Sequence, residues 1–178
     1  MMMSQGGFRV LGVDPGLETT GVSIVDINGS AYSPIYTGCI ITGKKDPLCR
    51  RLELIFNDLV RIIDIYRPDC MAIEELFFSS NTKTAIKVGH SRGVLMLAGS
   101  TKGLDIYEYT PLEIKQAVVG YGRATKKQVK YMLKAILGVK DDFFPKADDA
   151  WDALAVSICH GSFYKFKDKA RQAGDFRP

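Results

Sequence analysis

No apolar run in this sequence reaches the length of a membrane span, and the opening Met-Met-Met-Ser-Gln-Gly-Gly has neither the basic start nor the hydrophobic middle of a signal peptide. The four cysteines, Cys39, Cys49, Cys70 and Cys159, show none of the paired short spacings of a zinc site; three lie within apolar runs, and all four are expected to be buried thiols. No internal repeat and no low-complexity segment is present, and a net charge of +4 is too small to demand a polyanionic partner. These absences exclude the membrane, zinc-ribbon and repeat classes and point to a reducing cytoplasm.

What is present is enough apolar material for one core: 46% of 178 residues are hydrophobic. A single domain over 8–164 is expected, preceded by a disordered leader over 1–7 and followed by a basic, disordered tail over 165–178.

Apolar and β-forming residues run from Phe8 to Val13 and stop at Asp14-Pro15-Gly16, so a strand should carry Asp14 at its tip. Gly21–Ile27 and Ala31–Thr42 flank Asn28-Gly29, a strong hairpin signal, which completes an antiparallel meander. Leu48, Leu52, Ile55, Leu59, Ile62 and Tyr66 then recur at helical spacing, with Asp46 expected as cap, Pro47 at the first helical position and Arg67-Pro68 as the stop. The short run Cys70–Ile73 ends in Glu74, a parallel strand reached by a helical crossover. Helix over 81–98, strand over 104–109, helices opened by Thr110-Pro111 and Thr125, and a final helix over about 147–164 complete the order. The result is an α/β domain with a mixed five-stranded sheet and helices on both faces, in which the first and fourth strands can lie side by side.

Four carboxylates are placed where burial makes charge costly. Asp14 and Glu74 end apolar strands, and Asp149 and Asp152 lie three apart on one face of the last helix. No lysine or arginine stands beside them in sequence, so a divalent cation is the expected compensation. Oxygen-only ligation suits Mg2+ or Mn2+, and two such ions about 3.5–4 Å apart serve hydrolysis at phosphorus. Each acid alone has an ordinary structural explanation, as a turn residue or as a charge at a helix N-terminus. Their joint position at the ends of elements that this topology brings together favours a shared site. Glu75 points to the other side of its strand from Glu74, and Asp148 reads as a cap or solvated charge.

Leu11-Gly12-Val13-Asp14-Pro15-Gly16 with Thr20-Gly21, Ala72-Ile73-Glu74-Glu75-Leu76-Phe77, Lys115 to Gly122, and Asp149-Ala150-Trp151-Asp152-Ala153-Leu154-Ala155 stand in an order and spacing that resembles the bacterial RuvC family of Holliday-junction resolvases. The likeness spans Phe8 to about His160. It implies an RNase H-like fold, a homodimer, and Mg2+-dependent nicking of two strands of like polarity across a four-way DNA junction. Two ions per active site are implied, with Mn2+ as the alternative, and a branch-migration complex of the RuvA and RuvB type is the implied partner. On the same resemblance Asp14, Glu74, Asp149 and Asp152 fall on the metal-binding catalytic acids. Lys115 and Lys126 fall on basic positions of DNA contact, and Phe77 falls on an aromatic that stacks on a base near the crossover.

The lysines have a plain alternative as solvated charges, and Phe77-Phe78 as core. Lys83, Lys87, His90 and Arg92 read individually as solvated, and the run Gly93–Ala98 as core in preference to interface. The leader through Gly7, the acidic aromatic loop Asp141–Pro145 and the bulky Trp151 between two acids depart from the family's pattern. Rival functions are a ribonuclease on RNA–DNA hybrids, a non-catalytic junction-binding protein, and an actin-like kinase, for which the chain is too short to hold a second lobe.

Overall fold

The computed structural model describes residues 7–75, 82–138 and 146–172. Strands β1 (Phe8–Asp14), β2 (Thr19–Asn28) and β3 (Ala31–Ile41) form the meander; α1 (Leu48–Tyr66) crosses to β4 (Cys70–Glu74), and α2 (Thr82–Thr101) to β5 (Asp105–Tyr109). Three helices follow: α3 (Pro111–Val119), α4 (Lys126–Leu137) and α5 (Asp148–Gln172). The sheet order is β3-β2-β1-β4-β5, antiparallel on the β3 side and parallel on the β5 side. β1 is therefore central, with β4 beside it, as the sequence order requires.

A central strand buried on both faces has its alternation divided between two cores. Leu11 and Val13 of β1, with Val22, Ile24, Met71 and Ile73, pack against Ile55, Leu59 and Ile63 of α1 and Leu95 and Ala98 of α2. Val10, Val25, Ile27, Cys70 and Ala72 face the other way, against Leu154 and Ile158 of α5 with Ile114, Val118, Val129 and Leu133 of α3 and α4. Each such side chain contributes about 1.5–3 kcal/mol by burial.

Local signals set several boundaries. Gly29, at φ 53°, turns the hairpin between β2 and β3. Thr110 and Thr125 each accept the N–H of the residue three ahead and are answered by Glu113 and Gln128, so both α3 and α4 begin with a capping box. Gly120 and Gly138 close the same helices in the left-handed region, at φ 76° and 61°.

Other expectations are corrected. Pro47, not Asp46, occupies the cap position of α1, with no side-chain cap bond; the Asp46 N–H instead closes a turn on the Gly43 carbonyl at 3.2 Å. Cys49 is exposed on α1, and Cys39 is only half-buried, on the side of β3 that meets the start of α5 at Ala150. The last helix runs to Gln172 in place of Tyr164, since Lys165–Gln172 contains no glycine or proline to stop an established helix. Residues 1–6 of the leader, 173–178 of the tail and the loop Asp141–Pro145 lie outside the described residues.

Candidate active site

Asp14 is the last residue of β1 and Glu74 the last of β4. Both share parity with Val10, Gly12, Cys70 and Ala72, so both leave the sheet on the face that α5 covers. What brings α5 close is the small size of the residues in the seam. A Cβ on Gly12 would run into the Ser157 hydroxyl and the Ala153 carbonyl, and one on Gly21 into the carbonyl of Asp149. Ser23 Oγ donates to the Ala153 carbonyl at 2.9 Å and lies 2.8 Å from Ser157 Oγ. Glycine and serine on the strands, met by Ala150, Ala153 and Ser157 on the helix, thus let backbone approach backbone beside Asp14, with Asp149 and Asp152 in the helix's first turns.

The turn after Asp14 is fixed by Thr20, whose hydroxyl donates to the Gly16 carbonyl at 2.6 Å. A side chain on Gly16 would collide with the Thr19 carbonyl. Glu74 is held from the far side: Arg92 Nε donates to its carbonyl oxygen at 3.4 Å while the guanidinium pairs with Glu108 of β5. Arg92 is therefore a strut between the ends of β4 and β5 and not the solvated charge its sequence context suggests.

The electrostatics show the acids sharing one neighbourhood. Burial pushes the Asp14 carboxyl up to about 8, helped by the Glu74 charge, the Asp152 charge, a hydrogen bond with Glu74 and the Asp149 charge. Glu74 is raised as well, first by burial; its bond with Asp14 opposes the rise, Asp152 adds to it, and Lys126 and Lys115 oppose it through space. Burial and the neighbouring carboxylates thus favour the protonated form of Asp14.

Against expectation, one acid has a cationic partner. Lys126 Nζ, at the start of α4, lies 2.8 Å from Asp152 Oδ2. Sequence neighbourhood could not reveal this pair, because the packing of α4 on α5 makes it across 26 residues. Asp148 pairs in the same way with Lys130, at 2.6 Å, and Lys130 also stands over the ring of buried Trp151. Among the described residues no three His, Cys, Asp or Glu side chains converge as the ligands of a bound ion do. The donor set nonetheless suits a hard divalent cation, since every group is a carboxylate and Asp14 carries charge only at a cost that an ion would remove. Phe77 lies outside the described residues, as does Phe78.

Comparison with known proteins agrees with this architecture. The model of the family described as crossover junction endodeoxyribonuclease RuvC matches residues 10–160. A RuvC of Halothermothrix orenii is 52% identical over 160 residues, covering 90% of this chain and 96% of that protein, and one of Desulforamulus reducens is 47% identical, covering 86% and 93%. Among solved structures, Thermus thermophilus RuvC in complex with a Holliday-junction substrate superposes with a TM-score of 0.84 at 29% identity, covering 90% of this chain and 96% of that one. The yeast mitochondrial Holliday-junction resolvase, at 12% identity and a TM-score of 0.72, shares the fold.

Proposed function

Because this chain belongs to the RuvC family of crossover junction endodeoxyribonucleases, we infer that it resolves four-way DNA junctions by hydrolysing a phosphodiester bond in each of two strands of like polarity, leaving 5′-phosphate and 3′-hydroxyl ends. The observation that carries the reading is the pairing of the two strands that end in Asp14 and Glu74, with the first turns of α5, which carry Asp149 and Asp152, packed against β1 and β2; burial and the charges of Glu74, Asp152 and Asp149 push the Asp14 carboxyl up to about 8.

Family membership brings divalent-metal dependence with it. Mg2+ is the proposed ion, two per site, with Mn2+ as the alternative, and Asp14, Glu74, Asp149 and Asp152 are the residues that would hold it. When bound, such ions activate water and stabilise the leaving 3′ oxygen. The chain's own part is to give up the proton that burial favours on Asp14, and to keep the seam between α5 and β1 closed so that Asp149 and Asp152 stay in place. Lys126 and Lys115 act at this site: both offset the charge at Glu74, and both are suited to exchange that role for a DNA phosphate. Phe77 follows Glu74 by three residues, and we assign it to stacking on an unpaired base at the branch point.

A four-way junction has approximate two-fold symmetry, so a C2 homodimer would present two equivalent sites and turn one nicking activity into resolution. Exposed Ile86, Gly93 and Leu97, which share one side of α2, supply a surface for it, while Leu95 and Ala98 of the same helix are core. A branch-migration complex of the RuvA and RuvB type is the proposed partner and the cytoplasm the proposed location; among the described residues no helix is long and apolar enough to cross a membrane.

The test is a strand-labelled mobile four-way junction offered beside an RNA–DNA hybrid, with and without Mg2+. Symmetrically placed, ion-dependent nicks in two strands of the junction, with the hybrid spared, are expected. Equal or faster cleavage of the hybrid would replace this reading with the ribonuclease one.

A further inference from the structure

A cavity of about 360 Å3 lies beside the acids, among the β1–β2 loop, α1, α2 and the start of α5; Gly16, Glu18, Arg51, Lys87, Val88 and Asp149 line it. Arg51 is the member that ordinary folding does not explain. It is only 8% exposed, yet its Nη2 is buried with no hydrogen-bond partner.

Its guanidinium is anchored through Nε. Nε donates to Thr42 Oγ1 at 2.8 Å, and Thr42 is itself tied to the β1–β2 loop, its hydroxyl donating to the Leu17 carbonyl at 2.6 Å and its N–H to the Glu18 carbonyl at 3.0 Å. The arginine plane is thereby set relative to the loop that follows Asp14. An unmade bond on a buried cation costs its full desolvation, and it persists where an acceptor completes it.

Neither acid at the cavity supplies that acceptor. Glu18 is taken by Lys44 at 2.9 Å, and Asp149 belongs to the carboxylate quartet. Lys87 adds a second cation, exposed at the same cavity. The two cations act on common ground: the Lys44 hydrogen bond holds the Glu18 carboxyl below its usual value, and the charges of Arg51 and Lys87 work in the same direction. A fixed guanidinium with a free N–H, joined by an ammonium, matches a phosphate group. DNA provides one beside any cut, since a strand carries a phosphate about every 3.4 Å of helix axis.

We propose that Arg51 and Lys87 form a receptor for a backbone phosphate of the cleaved strand, next to the scissile one, on the side bounded by the β1–β2 loop and α2. This rests on the junction-cleaving reading and adds to it a subsite that fixes the strand's register across the acids.

The test measures junction affinity against salt in the Asp14→Asn chain, with Arg51→Gln or Lys87→Gln added. Each is expected to weaken binding several-fold and to lower the slope of log affinity against log salt by about one. A neutral methylphosphonate walked along the cleaved strand should find one position near the cut where the parent loses affinity and the Arg51→Gln chain loses no more. Should Arg51→Gln fail to fold, Lys87→Gln at an exposed position decides, with its melting temperature as the control. Unchanged slopes, or no methylphosphonate position that Arg51→Gln silences, overturn the subsite while the parent still binds junctions. A parent that binds no junction overturns the functional reading and the subsite with it.

Discussion

The two faces of the central sheet are built on opposite rules. Toward α1 and α2, β1 and β2 present Leu11, Val13, Val22 and Ile24, and the helices answer with Ile55, Leu59, Ile63 and Leu95. Toward the start of α5 the same strands present Gly12, Gly21 and Ser23, met by Ala150, Ala153 and Ser157. The first face fills space with branched side chains, as the α5 face also does farther from the acids, at Val10, Val25 and Ile27. The second removes side chains so that a helix can stand against the strand that ends in Asp14. Beside Asp14 the sheet gives up the side-chain bulk that its other face keeps, so substitutions in this seam and in the core under α1 and α2 should fail differently.

The largest effect is expected from the acids themselves. Asp14→Asn should lower junction cleavage by at least about 10³-fold, the equivalent of the several kcal/mol that metal-ion chemistry supplies, while junction binding in a gel-shift or anisotropy assay is retained. Equal loss of binding and cleavage would instead point to a folding defect.

Next in size is the seam. Gly21→Ala forces a methyl into the Asp149 carbonyl, and overpacking of this kind costs about 1–3 kcal/mol. Single-turnover cleavage per folded molecule should fall about tenfold or more, as a displaced site loses geometry. Leu59→Ala on the other face should cost more stability, about 2–5 kcal/mol, and yet leave cleavage per folded molecule unchanged. If both variants lose activity only in proportion to unfolding, the division between the faces does not hold.

A smaller effect separates the faces by pH. Asp14 titrates near 3.8 when unperturbed and at about 8 in the fold. The folded metal-free protein therefore keeps a proton that the unfolded chain has released. The stabilisation is complete below about pH 4 and is lost as pH rises through about 8. Calorimetric melting temperatures of metal-free protein should fall over that range, and Asp14→Asn should flatten the profile; Leu59→Ala should lower the whole profile without changing its slope. The smallest effect belongs to Lys126→Gln. Its ion pair with Asp152 is exposed enough to be worth under about 1 kcal/mol, so the melting temperature should hardly move, while the salt slope of junction binding drops by about one.

Strand tips and helix caps were readable because their causes are local. Asp14-Pro15-Gly16 and Asn28-Gly29 are turns in themselves, Thr110 and Thr125 carry their capping partners three residues on, and the βαβ order alone puts Asp14 beside Glu74. Features that depend on helix packing were not readable. Lys126 reaches Asp152, and Arg92 reaches Glu74 and Glu108, only after α4 and α2 have docked. Gly12 and Gly21 look like weak strand residues until α5 lies on them. Arg51, on an amphipathic helix, looks like one more surface charge, and its burial follows from the way Thr42 and the β1–β2 loop close over α1.

Proton release on metal binding tests the central claim most directly. Titration of Mn2+ into the protein, followed calorimetrically at pH 7 in buffers of different ionisation enthalpy, should release about one proton per site as the pair of Asp14 and Glu74 becomes fully ionised, with release vanishing above about pH 9. Binding with no proton released at pH 7 would mean that these two acids do not meet at the ion, and the account would be wrong.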